Sequence, residues 1–182
     1  MARGRVRAFV GMGGNVGGEA AVSARFDAAT AAMARLEGVA SVRRASRYRT
    51  APVGPVRQQP AFTNSAALVL LRGLRPVEFL RELLAIETSL GRDRTRERRL
   101  GPRRIDLDLL MWDDLVLDDP GPPQLTLPHP RLVVRAFALA PLVELGGEDL
   151  VVPGVGGGRA GDLLAAALAD PAQRVERRPE PM

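Results

Sequence analysis

The stretch Gly101-Pro102-Arg103-Arg104-Ile105-Asp106-Leu107-Asp108-Leu109-Leu110-Met111-Trp112 constrains this chain more than any other. Ile105, Leu107 and Leu109 alternate with Asp106 and Asp108, and a period of two puts both carboxylates on one face of a strand whose other face is apolar. Side chains two apart on a strand stand about 6.6 Å apart, so two like charges there repel in a half-buried sheet. A divalent cation resolves that conflict. Oxygen ligands in a chain with no Cys suit Mg²⁺, which takes one or two carboxylates and leaves its other positions to water and phosphate oxygens. A solvated edge strand carrying the same acids is the plainer alternative.

The residues just upstream favour the metal. Arg92, Arg94, Arg96, Arg98, Arg99, Arg103 and Arg104 place seven guanidinium groups within thirteen residues. Arginine presents a rigid fork of donors matched to phosphate oxygens, so an arginine loop feeding a carboxylate pair reads as a polyphosphate clamp. The competing reading is a solvated basic loop or a nucleic-acid patch. Net charge adds little here. The formal charge of +5 and pI near 11.1 come from 26 basic residues that are all Arg, which stays protonated far above neutrality.

In chain order, Arg5–Val10 reads as a strand entering a glycine-rich turn, Gly11 to Gly18, that lacks the Lys-Ser/Thr of a phosphate-binding loop. Val22, Phe26, Ala29, Met33 and Leu36 mark one face of a helix stopping at Gly38. Val39–Thr50 and Phe62–Leu71 read as strands, separated by a loop holding Pro52, Pro55 and Pro60. Pro76 opens a second helix with Phe79, Leu80, Leu83, Ile86 and Leu90 buried, ended by Gly91. The aspartate strand follows, then an Asp113-Asp114 turn into Leu115–Leu117. Strand, helix, strand, strand, helix, strand makes two split β-α-β halves, an α+β fold with a ferredoxin-like antiparallel sheet, helices packed on it and extra C-terminal elements. Ala160–Leu168 reads as a short helix. One domain over residues 1–170 is expected, with 171–182 a disordered tail. No run approaches the ~18 apolar residues of a membrane span, and no secretory leader is legible. Absent Cys fits the cytoplasm.

The runs Gly11-Met12-Gly13-Gly14-Asn15-Val16-Gly17, Ser46 to Gly54, Gln59 to Asn64, Leu90-Gly91-Arg92, Gly101 to Asp108 and Pro128-His129-Pro130 together resemble the 6-hydroxymethyl-7,8-dihydropterin pyrophosphokinase family of folate biosynthesis. They stand in family order and cover most of residues 6–145. The resemblance implies transfer of the diphosphate of ATP to the hydroxymethyl group of the pterin, releasing AMP. It implies that Asp106 and Asp108 hold two Mg²⁺ ions on the ATP phosphates. Phe62 and Phe137 match the aromatic positions that sandwich the pterin, while Asn64, Thr50 and Val53 match groups reading its polar edge. Arg92 and Arg103 match catalytic loop arginines. Glu87, Arg94, Leu109, Thr126, His129 and Arg135, with Arg92 and Arg103, match ATP contacts.

Three features depart from the family pattern. Leu100 stands where an aromatic residue is frequent, the loop between Gly91 and Gly101 is slightly longer, and Ala51 replaces a frequent Pro. The expected partners are ATP and the pterin, with no nucleic acid or membrane and a monomeric chain. Two other functions remain open on the residues: a ferredoxin-like RNA-binding module, which 4% aromatic residues serve poorly, and a Mg²⁺-dependent kinase transferring only the γ-phosphoryl group.

Overall fold

In the computed structural model, residues 4–52, 56, 58–97 and 101–178 are described. Val53, the loop positions Arg98, Arg99 and Leu100, and tail residues 179–182 lie outside them. The elements are β1 (Val6–Gly14), α1 (Gly18–Ala34), β2 (Val39–Arg44), β3 (Arg47–Thr50), β4 (Phe62–Leu71), α2 (Pro76–Ser89), β5 (Asp106–Trp112), β6 (Leu117–Asp119), β7 (Leu125–Leu127), α3 (Ala136–Gly146), β8 (Val151–Val152), β9 (Gly158–Arg159), α4 (Ala160–Leu168) and β10 (Val175–Arg178). The main sheet runs β10-β3-β4-β1-β5, with β2 continuing beside β4, and its pairs are antiparallel. That is the ferredoxin-like order expected from the two split halves.

Alternation along the central strands divides the molecule into two cores. Ala8, Val10 and Met12 of β1 and Leu107 and Leu109 of β5 meet Val22, Phe26 and Met33 of α1 and Phe79 and Leu83 of α2. On the opposite face Phe9, Ala66, Leu110 and Met111 meet Leu132, Leu139, Leu142 and Leu145 of the α3 region. Register shifts where Phe9 opposes Met111 and Val10 opposes Leu109, a bulge that leaves Leu110 as the extra residue. The bulge lets Leu110 and Met111 both enter the second core. Only half of that face is covered by α3. The half made by Gly11 and Gly13 of β1, Asn64 of β4, and Asp106 and Asp108 of β5 stays open.

Several expectations change. The glycine run is strand as far as Gly14, with only Gly17 (φ 91°) and Gly18 (φ 83°) needing a left-handed conformation. Its glycines serve close approach instead: a Cβ on Gly14 would sit 2.7 Å from the Arg104 carbonyl oxygen, and one on Gly11 3.2 Å from the Leu110 side chain. Val39–Thr50 is two strands, broken at Ala45-Ser46, where the Ala45 amide still donates to the Ala66 carbonyl at 2.9 Å. The strand after the Asp113-Asp114 turn spans Leu117–Asp119, not Leu115–Leu117. Residues 171–178, assigned from composition to a disordered tail, form a 3₁₀ turn at Pro171–Gln173 and then β10, which pairs with β3. Backbone pairing at a free sheet edge orders a segment whose side chains carry little apolar area.

Candidate active site

The open half of the sheet is the floor of a cavity of about 450 Å³. Register explains it: Gly13 lies between Asn64 and Asp106, and Gly11 lies between Ala66 and Asp108. With no side chains on β1 at those two places, β1 leaves the space between Asn64 and the two aspartates open to the cavity. Thr50, Phe62, Asn64, Arg92, Arg94, Arg103, Asp106, Asp108, His129, Arg135 and Phe137 all line this cavity. A second cavity of about 380 Å³ adjoins it, walled by Leu109, Thr126 and Pro123 and sharing Arg94, Asp108 and His129 with the first.

One wall of the first cavity suits a flat ring with a polar edge. Phe62 and Phe137 both border it, with the Arg103 guanidinium 5.5 Å from the Phe62 centroid and that of Arg135 5.3 Å from the Phe137 centroid. Asn64, buried, donates to the Thr50 hydroxyl at 2.8 Å, which fixes the amide orientation. The loop above is held by Asn15. Its side chain donates to Gln59 Oε1 (3.1 Å) and the Pro60 carbonyl (3.0 Å) and accepts from the Arg103 amide (2.9 Å). Asn15 stands inside the glycine motif, and no periodicity marks it out for this role.

Opposite lies a charge network. Arg92, buried, donates to Glu87 Oε1 at 2.7 Å, to Glu97 Oε2 at 3.0 Å and to Asp106 Oδ1. Arg94 binds Glu87 Oε2 at 2.7 Å, and Arg103 binds Asp106 Oδ2. Glu87 is 1% exposed and also accepts from the Leu107 amide at 2.7 Å. It lines neither cavity, and its contacts are with Arg92, Arg94 and the Leu107 amide. Glu87 anchors the two arginines. The described part of the arginine loop is thus pinned by carboxylates. Glu97, also unforeseen, takes part in that pinning.

The two aspartates differ sharply. Burial works to raise the Asp106 carboxyl, but Arg103 and Arg92 outweigh it and hold it below the usual carboxylate range. Asp108 is pushed up to about 7 by burial and by the charges of Asp106 and Glu87. Among the described residues its carboxylate has no ion-pair or hydrogen-bond partner. A half-buried acid with no ion pair among the described residues, two residues from another acid and only partly offset by the charges of Arg103 and Arg135, is the situation a divalent ion relieves. No cluster of three or more His, Asp or Glu occurs among the described residues. The donor set is therefore two carboxylates, which fits Mg²⁺ completed by water and phosphate oxygens. His129 is depressed to about 4 by burial and by Arg135 and Arg131, so it is neutral at neutral pH. Its Nδ1 accepts from the Arg131 amide at 3.2 Å, which leaves Nε2 as the proton-bearing donor.

Paired acids fenced by guanidinium groups, one of the two acids shared between two adjoining cavities on a ferredoxin-like sheet, define a phosphate-handling enzyme. The family model for 7,8-dihydro-6-hydroxymethylpterin-pyrophosphokinase matches residues 9–147, and the chain belongs to that family. It is 39% identical over 170 residues to the 2-amino-4-hydroxy-6-hydroxymethyldihydropteridine pyrophosphokinase of Methylorubrum extorquens, covering 93% of this chain and 99% of that one. The protein of the same name from Pseudomonas aeruginosa is 37% identical over 173 residues, 95% of this chain and 97% of that one. Among solved structures, wild-type Plasmodium falciparum HPPK-DHPS with pteroate superposes with a TM-score of 0.67 at 11% identity, over 93% of this chain and 43% of that longer one. That last likeness concerns the fold. No helix among the described residues is long and apolar enough to cross a membrane.

Proposed function

We propose that this chain transfers the diphosphate of ATP to the hydroxymethyl group of 6-hydroxymethyl-7,8-dihydropterin, releasing AMP. The observation that carries the reading is the Asp106–Asp108 pair on the floor of the first cavity, with Asp108 also bordering the second, in a chain of this family. The first cavity takes the pterin, its ring against Phe62 and Phe137 and its polar edge toward Asn64 and Thr50. The second, lined by Leu109, Thr126 and His129, takes the nucleotide. The acceptor oxygen forms a bond to the β-phosphorus and gives up its hydroxyl proton to water, the bond from that phosphorus to the bridging α–β oxygen breaks, and that oxygen leaves with AMP.

Bound at Asp106 and Asp108, two Mg²⁺ ions supply charge neutralisation and orientation of the triphosphate. The chain's own part is positioning. Arg92, Arg94, Arg103 and Arg135 border the cavities and set positive charge where negative charge develops. Phosphate offers Arg92 and Arg103 an anion in exchange for Asp106, which frees that carboxylate. Neutral His129 donates through Nε2 to a phosphate oxygen. Such transfer depends chiefly on electrostatics and alignment, so the scarcity of a base beside the acceptor is no obstacle.

Incubation with ATP, Mg²⁺ and the pterin alcohol, followed by chromatography of the nucleotides, decides the reading. AMP and a pterin carrying two phosphates are expected. ADP as sole nucleotide product would mean γ-phosphoryl transfer, and untouched ATP would return the RNA-binding module. For the pterin wall, Phe137→Ala should weaken pterin binding by about 1–3 kcal/mol, the range for base–aromatic stacking, while ATP binding barely changes. Equal losses for both ligands would show that the ring serves the core.

A further inference from the structure

The family match ends at residue 147, yet the chain continues through α4 to a segment that returns to two elements bordering the cavity, the start of α3 and the strand β3. Helix α3 begins next to the cavity wall, and its N-cap residue Arg135 supplies no side-chain cap. The first amide of the helix, Ala136, instead donates to Gln173 Oε1 at 3.0 Å. Initial amides of a helix have no partner within it, so an acceptor brought from elsewhere fixes where the helix starts. Arg135 and Phe137 flank that amide on either side, and both line the cavity. Gln173 is itself held by the 3₁₀ turn, in which the Asp170 carboxylate accepts from the Ala172 amide at 2.9 Å.

Two residues further on, β10 begins, and its first residue, Val175, pairs with Thr50. Thr50 accepts from Asn64 and lines the other side of the same cavity. The far end of α3 is tied to that strand as well: Glu144 accepts from the Tyr48 hydroxyl at 2.7 Å and the Ser46 hydroxyl at 2.8 Å, and Arg177 of β10 donates to the Ser46 hydroxyl. Residues 173–177 thus touch both the helix that carries Phe137 and the strand that carries Thr50.

We propose that Gln173 is a positioning residue for the acceptor cavity: by capping α3 from a segment continuous with β10, it sets the spacing between the Phe137 wall and the Thr50–Asn64 wall. This rests on the pterin reading of that cavity. Gln173 touches no substrate and acts through the start of α3.

The full chain with Gln173→Ala should show KM for the pterin raised about fivefold, the effect of losing one helix cap, with smaller changes in kcat and KM for ATP transmitted through Arg135. Gln173→Glu keeps an oxygen acceptor at a helix N-terminus and should restore KM to within about twofold. Hydrogen exchange at Ala136, Phe137 and Ala138 should accelerate in Gln173→Ala and not in Gln173→Glu. An unchanged pterin KM, unchanged exchange, or both substrates weakened alike in both variants would overturn the proposal. Should the wild-type chain form no AMP, the functional reading fails by itself, and exchange at these three amides still decides whether Gln173 fixes the wall.

Discussion

Asp108→Asn should abolish AMP formation, a loss on the order of 10³-fold or more, while the thermal midpoint stays level or rises. The two parts of that expectation come from the same feature. Asp108 is half-buried and makes no ion pair among the described residues, and Asp106 and Glu87 add like charge that Arg103 and Arg135 only partly offset. Without a metal, ionised Asp108 costs folding energy, and an amide of the same shape removes that cost. With a metal, the same substitution deletes half of the protein's carboxylate ligands. Asp106→Asn offers the contrast. Its carboxylate binds Arg92 and Arg103, so this variant should lose turnover and stability together. Melting curves and a calorimetric Mg²⁺ titration in the presence of a non-hydrolysable ATP analogue separate the cases. Near wild-type turnover of Asp108→Asn at saturating Mg²⁺ would remove the metal from this strand.

The carboxylate pair was legible because it depends on one local rule, the period of two along β5, and on nothing distant. The stripes of α1 and α2 and the span of α4 were legible for the same reason. The cavity was not, because it is made by what β1 lacks. Gly11 and Gly13 leave room only by virtue of lying in register with Asp108 and Asp106, and register between strands far apart in sequence is not written in either strand. Glycines in a row look like a turn unless the flanking strand is known to continue. The role of Glu87 was hidden in a similar way. It follows Leu83 by one helical turn and so falls on the buried side of α2, but whether a carboxylate there is tolerable depends on Arg92 and Arg94 folding back over it. The segment Val175–Arg178 presents mostly charge, and composition alone gives no reason to order it. Its partner is the free edge of β3.

Arg92→Ala should cost about 3–5 kcal/mol of stability, the loss expected when one member of a buried ion pair is removed. For a chain of this size that lowers the thermal midpoint by on the order of 10 °C. The Arg92 side chain is 7% exposed and that of Glu87 1%, so neither charge has water to fall back on. Burial disfavours the Arg92 cation, and the carboxylates of Asp106, Glu87 and Glu97 more than offset it, holding it protonated. Without Arg92, Glu87 keeps only Arg94, whose side chain is 53% exposed, and the Leu107 amide. A double variant, Glu87→Gln with Arg92→Met, removes both charges at similar volume and should recover most of the midpoint without recovering AMP formation. That recovery distinguishes the two jobs assigned to Arg92: holding the base of the loop through Glu87, and facing phosphate across the cavity. If Arg92→Ala loses turnover at an unchanged midpoint, the network with Glu87 carries no structural weight. If the double variant melts as low as the single one, the loss comes from packing, and charge burial is not its cause.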